Sequence, residues 1–224
     1  MKMKTIAIAL MALCSLGATA QQRLLGGDLS MLPKYEAAGT VYRDAKGKPV
    51  DALNLFRKEG WNAVRLRLFV DPDKAPAENK DEGVCQDLNY VMGFGKRIKD
   101  EGFRLMLDFH YSDTWADPGK QFIPSAWKGA SAEALADSVY QYTRRSLEAM
   151  KRAGAEPDLI QVGNEISFGM LWPMAKTLPT EDANWPAFLT MLKQGCRACR
   201  EICPKAQIII HTEQAGNWSN TKAF

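Results

Sequence analysis

Glu165 follows an amide side chain, Asn164, and a chain-breaking glycine, Gly163, directly after the short apolar run Leu159-Ile160-Gln161-Val162. A run of that length and composition reads as a buried strand, so the carboxylate is delivered at the strand's C-terminal tip. An apolar and aromatic loop, 168–172, comes next and includes Trp172. A carboxylic acid can donate a proton to a leaving oxygen, the amide can hold a hydroxyl, and flat rings stack on a pyranose face. Together these groups suit cleavage of a glycosidic bond. An isolated Asn-Glu pair is as easily a solvated loop, so the weight falls on the other strand ends.

Four other strand ends carry similar groups: Asp28 at the first, Arg65 and Arg67 at the second, Asp108 and His110 at the third, His211 and Glu213 at the fifth. A spacing of two places both members of a pair on one face of a strand. Charges turned into an interior are costly unless paired or used. The structural alternative is a buried ion-pair network, Asp108 with Arg65 for example, and Arg67 faces solvent if its strand pleats the other way. After the third strand, the loop Ser112-Asp113-Thr114-Trp115-Ala116-Asp117-Pro118 offers Trp115 as a stacking platform or as a core anchor. Trp127 is open to the same two readings. Asn164 and Glu165 are consecutive, so a β-bulge near Gly163 is expected, to aim both into one site.

The elements that must position these residues alternate. Strands are expected over 23–29, 62–70, 103–111, 159–162 and 207–212. Helices are expected over 50–58, 87–101, 131–153 and 185–203, with Ser131 as a cap and Gly60, Gly102, Gly154 and Pro204 as stops. Residues 71–84 are polar and contain proline, and read as a loop. Alternating strands and helices imply a parallel sheet. Long strand-to-helix loops and short helix-to-strand turns put function on the C-terminal face of the strands, as in a (β/α)8 TIM barrel or a doubly wound sheet. The barrel is favoured. There is no Gly-rich phosphate loop after the first strand, and polar groups sit at all five strand ends rather than at one switch point.

The N-terminus has Lys2 and Lys4, an apolar run over 6–16 and Ala18-Thr19-Ala20. This has the form of a secretory signal over residues 1–20, leaving 21–224 as one domain and a secreted, periplasmic or cell-surface destination. Cys14 follows the bulky Leu13, which argues against a lipid-attachment site. No later run approaches a membrane span. The net charge of +3 falls to +1 without residues 1–20, and no basic cluster points to nucleic acid. Hydrophobic residues make up 46% of the chain, ample for one packed core. Cys196, Cys199 and Cys203 read C-x2-C-x3-C, a spacing that invites a metal. The same spacing falls on one helix face, where core packing is the simpler reading.

With those segments in view, the chain resembles the arabinogalactan endo-β-1,4-galactanases of glycoside hydrolase family 53, within a large clan of retaining (β/α)8 glycosidases. The matching segments are GGDLSML at Gly26, NAVRLRLFV at Asn62, LDFHYSDTWADP at Leu107, QVGNEISFGMLWP at Gln161 and IIIHTEQAGNW at Ile208. The resemblance implies that Glu165 is the general acid/base and that Asn164 contacts the hydroxyl beside the anomeric carbon. It also implies that Arg65, Asp108, His110 and His211 shape the site around the catalytic pair; Asp28 and Trp115 join them as substrate-binding candidates on the residue reading above. The implied substrate is β-1,4-galactan of pectic arabinogalactan, handled by a monomer with no cofactor. A calcium site, if there is one, belongs to a C-terminal part beyond this chain. The chain departs from the family in carrying Glu213 where an Asp is usual at the fifth strand end. The family's nucleophile, a glutamate on the seventh strand, has no counterpart here. A barrel of this class needs about 250 residues, so the chain is expected to be the N-terminal part of one, truncated after about five β/α units and inactive by itself. The alternatives are another β-1,4-glycanase of the clan, a mannanase or cellulase, and a non-catalytic carbohydrate-binding barrel.

Overall fold

The computed structural model describes residues 23–177, 183–214 and 216–224. The expected secretory signal over 1–20 lies outside the described residues. Five strands, β1 (Gly26–Asp28), β2 (Ala63–Leu68), β3 (Arg104–Phe109), β4 (Leu159–Val162) and β7 (Gln207–Ile209), form one parallel sheet in the order β1-β2-β3-β4-β7. A two-stranded antiparallel ribbon, β5 (Gly169–Met170) with β6 (Ala175–Lys176), decorates the loop after β4. The helices are α1 (Leu32–Ala37), α2 (Ala52–Lys58), α3 (Ala77–Asp81), α4 (Leu88–Asp100), α5 (Ala132–Arg152), α6 (Trp185–Ile202) and α7 (Trp218–Ala223). The sheet and its crossover helices are part of a (β/α)8 barrel. No helix among the described residues is long and apolar enough to cross a membrane.

The strands separate the two environments by strict alternation. Val64, Leu66 and Leu68 of β2 and Leu105, Leu107 and Phe109 of β3 are fully buried against the helices. Arg65, Arg67, Met106 and Asp108 take the opposite face, the barrel interior, as a period of two requires. In register, Asp28 pairs with Arg65, Arg67 with Asp108, and Asp108 with Gln161. Adjacent strands therefore bring their polar residues to two successive tiers, Asp28 with Arg65 and, one step nearer the strand ends, Arg67 with Asp108 and Gln161.

The helices are set by caps and apolar stripes. Asp51, Asp87, Ser131 and Asn184 each accept a hydrogen bond from a backbone N–H in the first turn of the helix that follows. In α4 the buried stripe is Val91, Phe94, Gly95 and Ile98; in α5 it is Leu135, Val139, Tyr142, Leu147 and Met150. Gly102 and Gly154 lie just past helix ends at φ +76° and +75°, where a side chain would be strained. The C-x2-C-x3-C run lies on α6, with Cys199 and Cys203 buried and Cys196 half-buried. Burial raises all three thiols, Cys203 to about 11, so the thiolate that a metal needs is disfavoured.

Two local expectations are corrected. Residues 71–84 are not a plain loop, because a 3-10 turn at Pro72–Lys74 and α3 pack there. Prolines at 72 and 76 start these turns rather than preventing them. The bulge near Gly163 is replaced by a left-handed turn, in which Gly163 has φ +85° and Glu165 has φ +51°.

Candidate active site

The C-terminal ends of the strands converge on Arg65. Its Nη1 donates to Asp28 Oδ2 at 2.6 Å, and its Nη2 donates to Asp108 Oδ2 at 2.5 Å and to Asn164 Oδ1 at 2.8 Å. Arg67 grips the same Asp28 with two parallel bonds, Nε to Oδ2 at 2.8 Å and Nη2 to Oδ1 at 2.7 Å. Arg67 therefore points inward rather than to solvent. Burial by itself would raise the Asp28 carboxyl. The hydrogen bonds and charges of Arg67 and Arg65, with the Ser30 amide, outweigh it and hold this group below the usual carboxylate range.

Asp108 is wholly buried and is shared by three partners. Besides Arg65 it accepts from Gln161 Nε2 at 2.5 Å, and His110 Nε2 lies 2.9 Å from Oδ2. The His110 approach is close but poorly directed, so Nε2 has no aligned hydrogen bond. The Ala116 amide donates to His110 Nδ1 at 3.0 Å. Nδ1 is thus the acceptor and the neutral ring's N–H is assigned to Nε2, which lies beside the Asp108 carboxylate without an aligned hydrogen bond to it.

Asn164 has its amide orientation settled by its neighbours. Oδ1 accepts from Arg65 and from Gln161 Nε2 at 3.1 Å and faces His211 Nδ1 at 3.0 Å, while Nδ2 donates to the Ala116 carbonyl at 2.7 Å. One hydrogen on Nδ2 is left over. The turn beneath is fixed from both sides. Buried Gln121 donates through Nε2 to the carbonyls of Asn164 at 2.9 Å and of Glu165 at 3.3 Å. The Ile166 amide donates to the His211 carbonyl at 3.0 Å.

Glu165 stands apart electrostatically. Arg65 and Arg67 are matched by Asp28 and Asp108, and Lys120 by Asp117 at 2.6 Å. Among the described residues nothing hydrogen-bonds or ion-pairs with the half-buried Glu165 carboxylate. It borders an open cleft of about 310 Å³ with Arg65, Arg67, His110, Trp115 and Asn164. Trp115 forms a wall there. The Arg67 guanidinium lies 4.6 Å over its ring, and Phe69 meets it edge-on at 5.3 Å. Glu213 lies outside this centre, its Oε2 accepting from Ser167 Oγ at 2.8 Å and its Oε1 from Gln214 at 2.7 Å. Trp127 packs edge-on against Tyr142 at 5.8 Å, away from the cleft. A roomier polar hollow, about 450 Å³, lies at the opposite ends of the strands beside Lys99, Arg104 and Asp158. It contains none of these groups.

The structure therefore gathers Asp28, Arg65, Asp108, His110, Asn164 and His211 into one bonded network, with Trp115 and Glu165 on the cleft beside it. Sequence reasoning missed two members. Gln161 was legible as the lone polar residue of an apolar strand, on the inward tier. Gln121, in a long loop, carried no signal at all.

The chain matches the model of glycosyl hydrolase family 53 over residues 24–224 and belongs to that family. An arabinogalactan endo-β-1,4-galactanase of Cellvibrio japonicus is 37% identical over 198 residues, which are 86% of this chain and 50% of the relative. A solved structure of the Ignisphaera aggregans GH53 catalytic domain superposes with a TM-score of 0.76 at 36% identity, covering 84% of this chain and 51% of the other. A solved fungal β-1,4-galactanase gives a TM-score of 0.78 at 31% identity, covering 88% and 56%. The chain spans about half the length of the curated relatives it matches.

Proposed function

We propose that this member of family 53 supplies the acid/base half of a retaining endo-β-1,4-galactanase, with β-1,4-galactan as substrate. The observation that carries the reading is the Glu165 carboxylate: unpaired, beside Asn164, at the end of β4 and on the cleft. A general acid must meet the glycosidic oxygen, and a carboxyl already committed to a cation could not. Glu165 would protonate the leaving oxygen and later take a proton from water. Asn164 would offer its spare amide hydrogen to the hydroxyl beside the anomeric carbon. Asp28, Arg65, Asp108, His110 and His211 hold Asn164 and shape the floor, and Trp115, on the cleft wall, would contact the sugar.

Retention needs a second carboxyl about 5–5.5 Å from the first, across the anomeric carbon. Asp28 and Asp108 hold arginines, Asp117 holds Lys120, and Glu213 is tied to Ser167. We infer that the nucleophile comes from outside these 224 residues, and that the chain alone binds galactan without cleaving it. The test is to titrate the purified chain with β-1,4-linked galacto-, manno- and cello-oligosaccharides and to assay reducing ends on galactan. Galactan-selective binding without turnover is expected. Preference for manno- or cello-oligosaccharides would overturn the substrate. Turnover that is lost in Glu165→Gln and in Glu213→Gln would overturn the assignment of the nucleophile.

A further inference from the structure

The cleft does not end at Arg67. The same side chain, with Asp28, borders a second hollow of about 230 Å³ whose other walls include Tyr35, Tyr42, Phe56 and Leu32. We propose that this groove is a distal sugar subsite, which receives a neutral unit of the glycan chain lying in the Glu165 cleft. The inference rests on the glycan reading above for the identity of the polymer.

Three observations carry it. Adjacency comes first: Arg67 lines both hollows, so the groove adjoins the cleft at that side chain. The second is charge. Both Asp28 oxygens are taken by Arg65, Arg67 and the Ser30 amide, and Arg67 is spent on Asp28. Among the described residues no unmatched charge lines the groove, which disfavours an ionic ligand and suits a neutral one. The third is the wall chemistry. Tyr35 is 47% exposed, and its hydroxyl reaches only Met31 Sδ at 3.8 Å. The Tyr42 hydroxyl has no hydrogen-bond partner among the described residues. Aromatic faces with a free phenol at the edge match a pyranose, which shows C–H on one face and hydroxyls on its rim. Phe56 closes the floor, braced by stacking on Trp61 at 4.4 Å.

The test is isothermal titration of the 224-residue chain with β-1,4-galactobiose and β-1,4-galactohexaose, in wild type, Tyr35→Ala/Tyr42→Ala and Tyr35→Phe/Tyr42→Phe. The hexaose should bind wild type more tightly than the biose. The alanine pair should lose about tenfold in hexaose affinity with biose affinity unchanged. The phenylalanine pair keeps the rings and should retain most of the affinity, which also controls for folding. Equal loss for both sugars, no loss for either, or no binding of any hexaose would overturn the subsite. If mannohexaose binds in place of galactohexaose with the same dependence on the tyrosines, the subsite stands and the galactan reading fails. If galactohexaose binds and the tyrosines are silent, the reverse holds.

Discussion

Replacing Glu165 should separate stability from function, because of its backbone. Glu165 sits at φ 51° and ψ 52°, the left-handed region. For a residue with a Cβ this costs about 1–2 kcal/mol. Alanine and glycine at this position both remove the carboxylate and its stem, so the pair isolates the backbone contribution. Glycine escapes the strain, but its unfolded chain is freer by about 0.4–1 kcal/mol. The net expectation is that Glu165→Gly is about 0.5–1 kcal/mol more stable than Glu165→Ala, the opposite of the order in a helix or strand. For a chain of this size, 1 kcal/mol corresponds to about 2–4 °C in Tm. Thermal melts of the two variants, with urea midpoints as a second measure, read the difference. Glu165→Gln keeps both strain and shape and should match wild type within about 0.5 kcal/mol. If the alanine variant equals or exceeds the glycine variant, the turn is not strained as described. The account of how Gln121 and the His211 carbonyl hold Glu165 then falls with it.

The remaining predictions are read from purified protein. Asp108→Ala removes a fully buried carboxylate from Arg65, His110 and Gln161. Because Arg65 keeps Asp28, the loss should be about 3 kcal/mol by urea denaturation, the low end for a broken buried pair, and Asp108→Asn should lose distinctly less. Asp28 is held below its unfolded value, so its contribution is present above about pH 3.9 and is lost as pH falls through the folded pKa. Stability measured from pH 6 down to pH 2 should fall less steeply in Asp28→Asn than in wild type; parallel curves would contradict this. Gly195→Ala places a methyl 2.7 Å from Val162 Cγ1 and 2.9 Å from the Tyr111 hydroxyl, where α6 packs on β4. It should destabilise by about 1–3 kcal/mol, and a neutral result would mean that α6 sits farther from β4.

The order of the five sheet strands and four of the helices was legible in the sequence because its causes are local; α1, α3, α7 and the β5–β6 ribbon were not read. Period-two alternation in NAVRLRLFV, a cap at Ser131, and stops at Gly102 and Gly154 each act within a few residues. The polar strand ends were legible for the same reason: a charge in an apolar strand stands out wherever it lies. Which of those groups would neutralise one another was not legible. Arg65 and Asn164 are 99 positions apart, and Arg65 and Asp108 are 43 apart. Register sets Arg67 opposite Asp108, yet in the assembled sheet Arg65 reaches across to take both aspartates and Arg67 turns to share Asp28. Tertiary structure likewise chose a left-handed turn over a bulge at Gly163, because Gln121 and the His211 carbonyl reach that turn from distant loops. The chain itself determined that carboxylates, arginines and histidines would meet at one end of a parallel sheet. Only the folded arrangement, by satisfying every cation in the cleft with another carboxylate, decided that Glu165 would be the acid left unpaired.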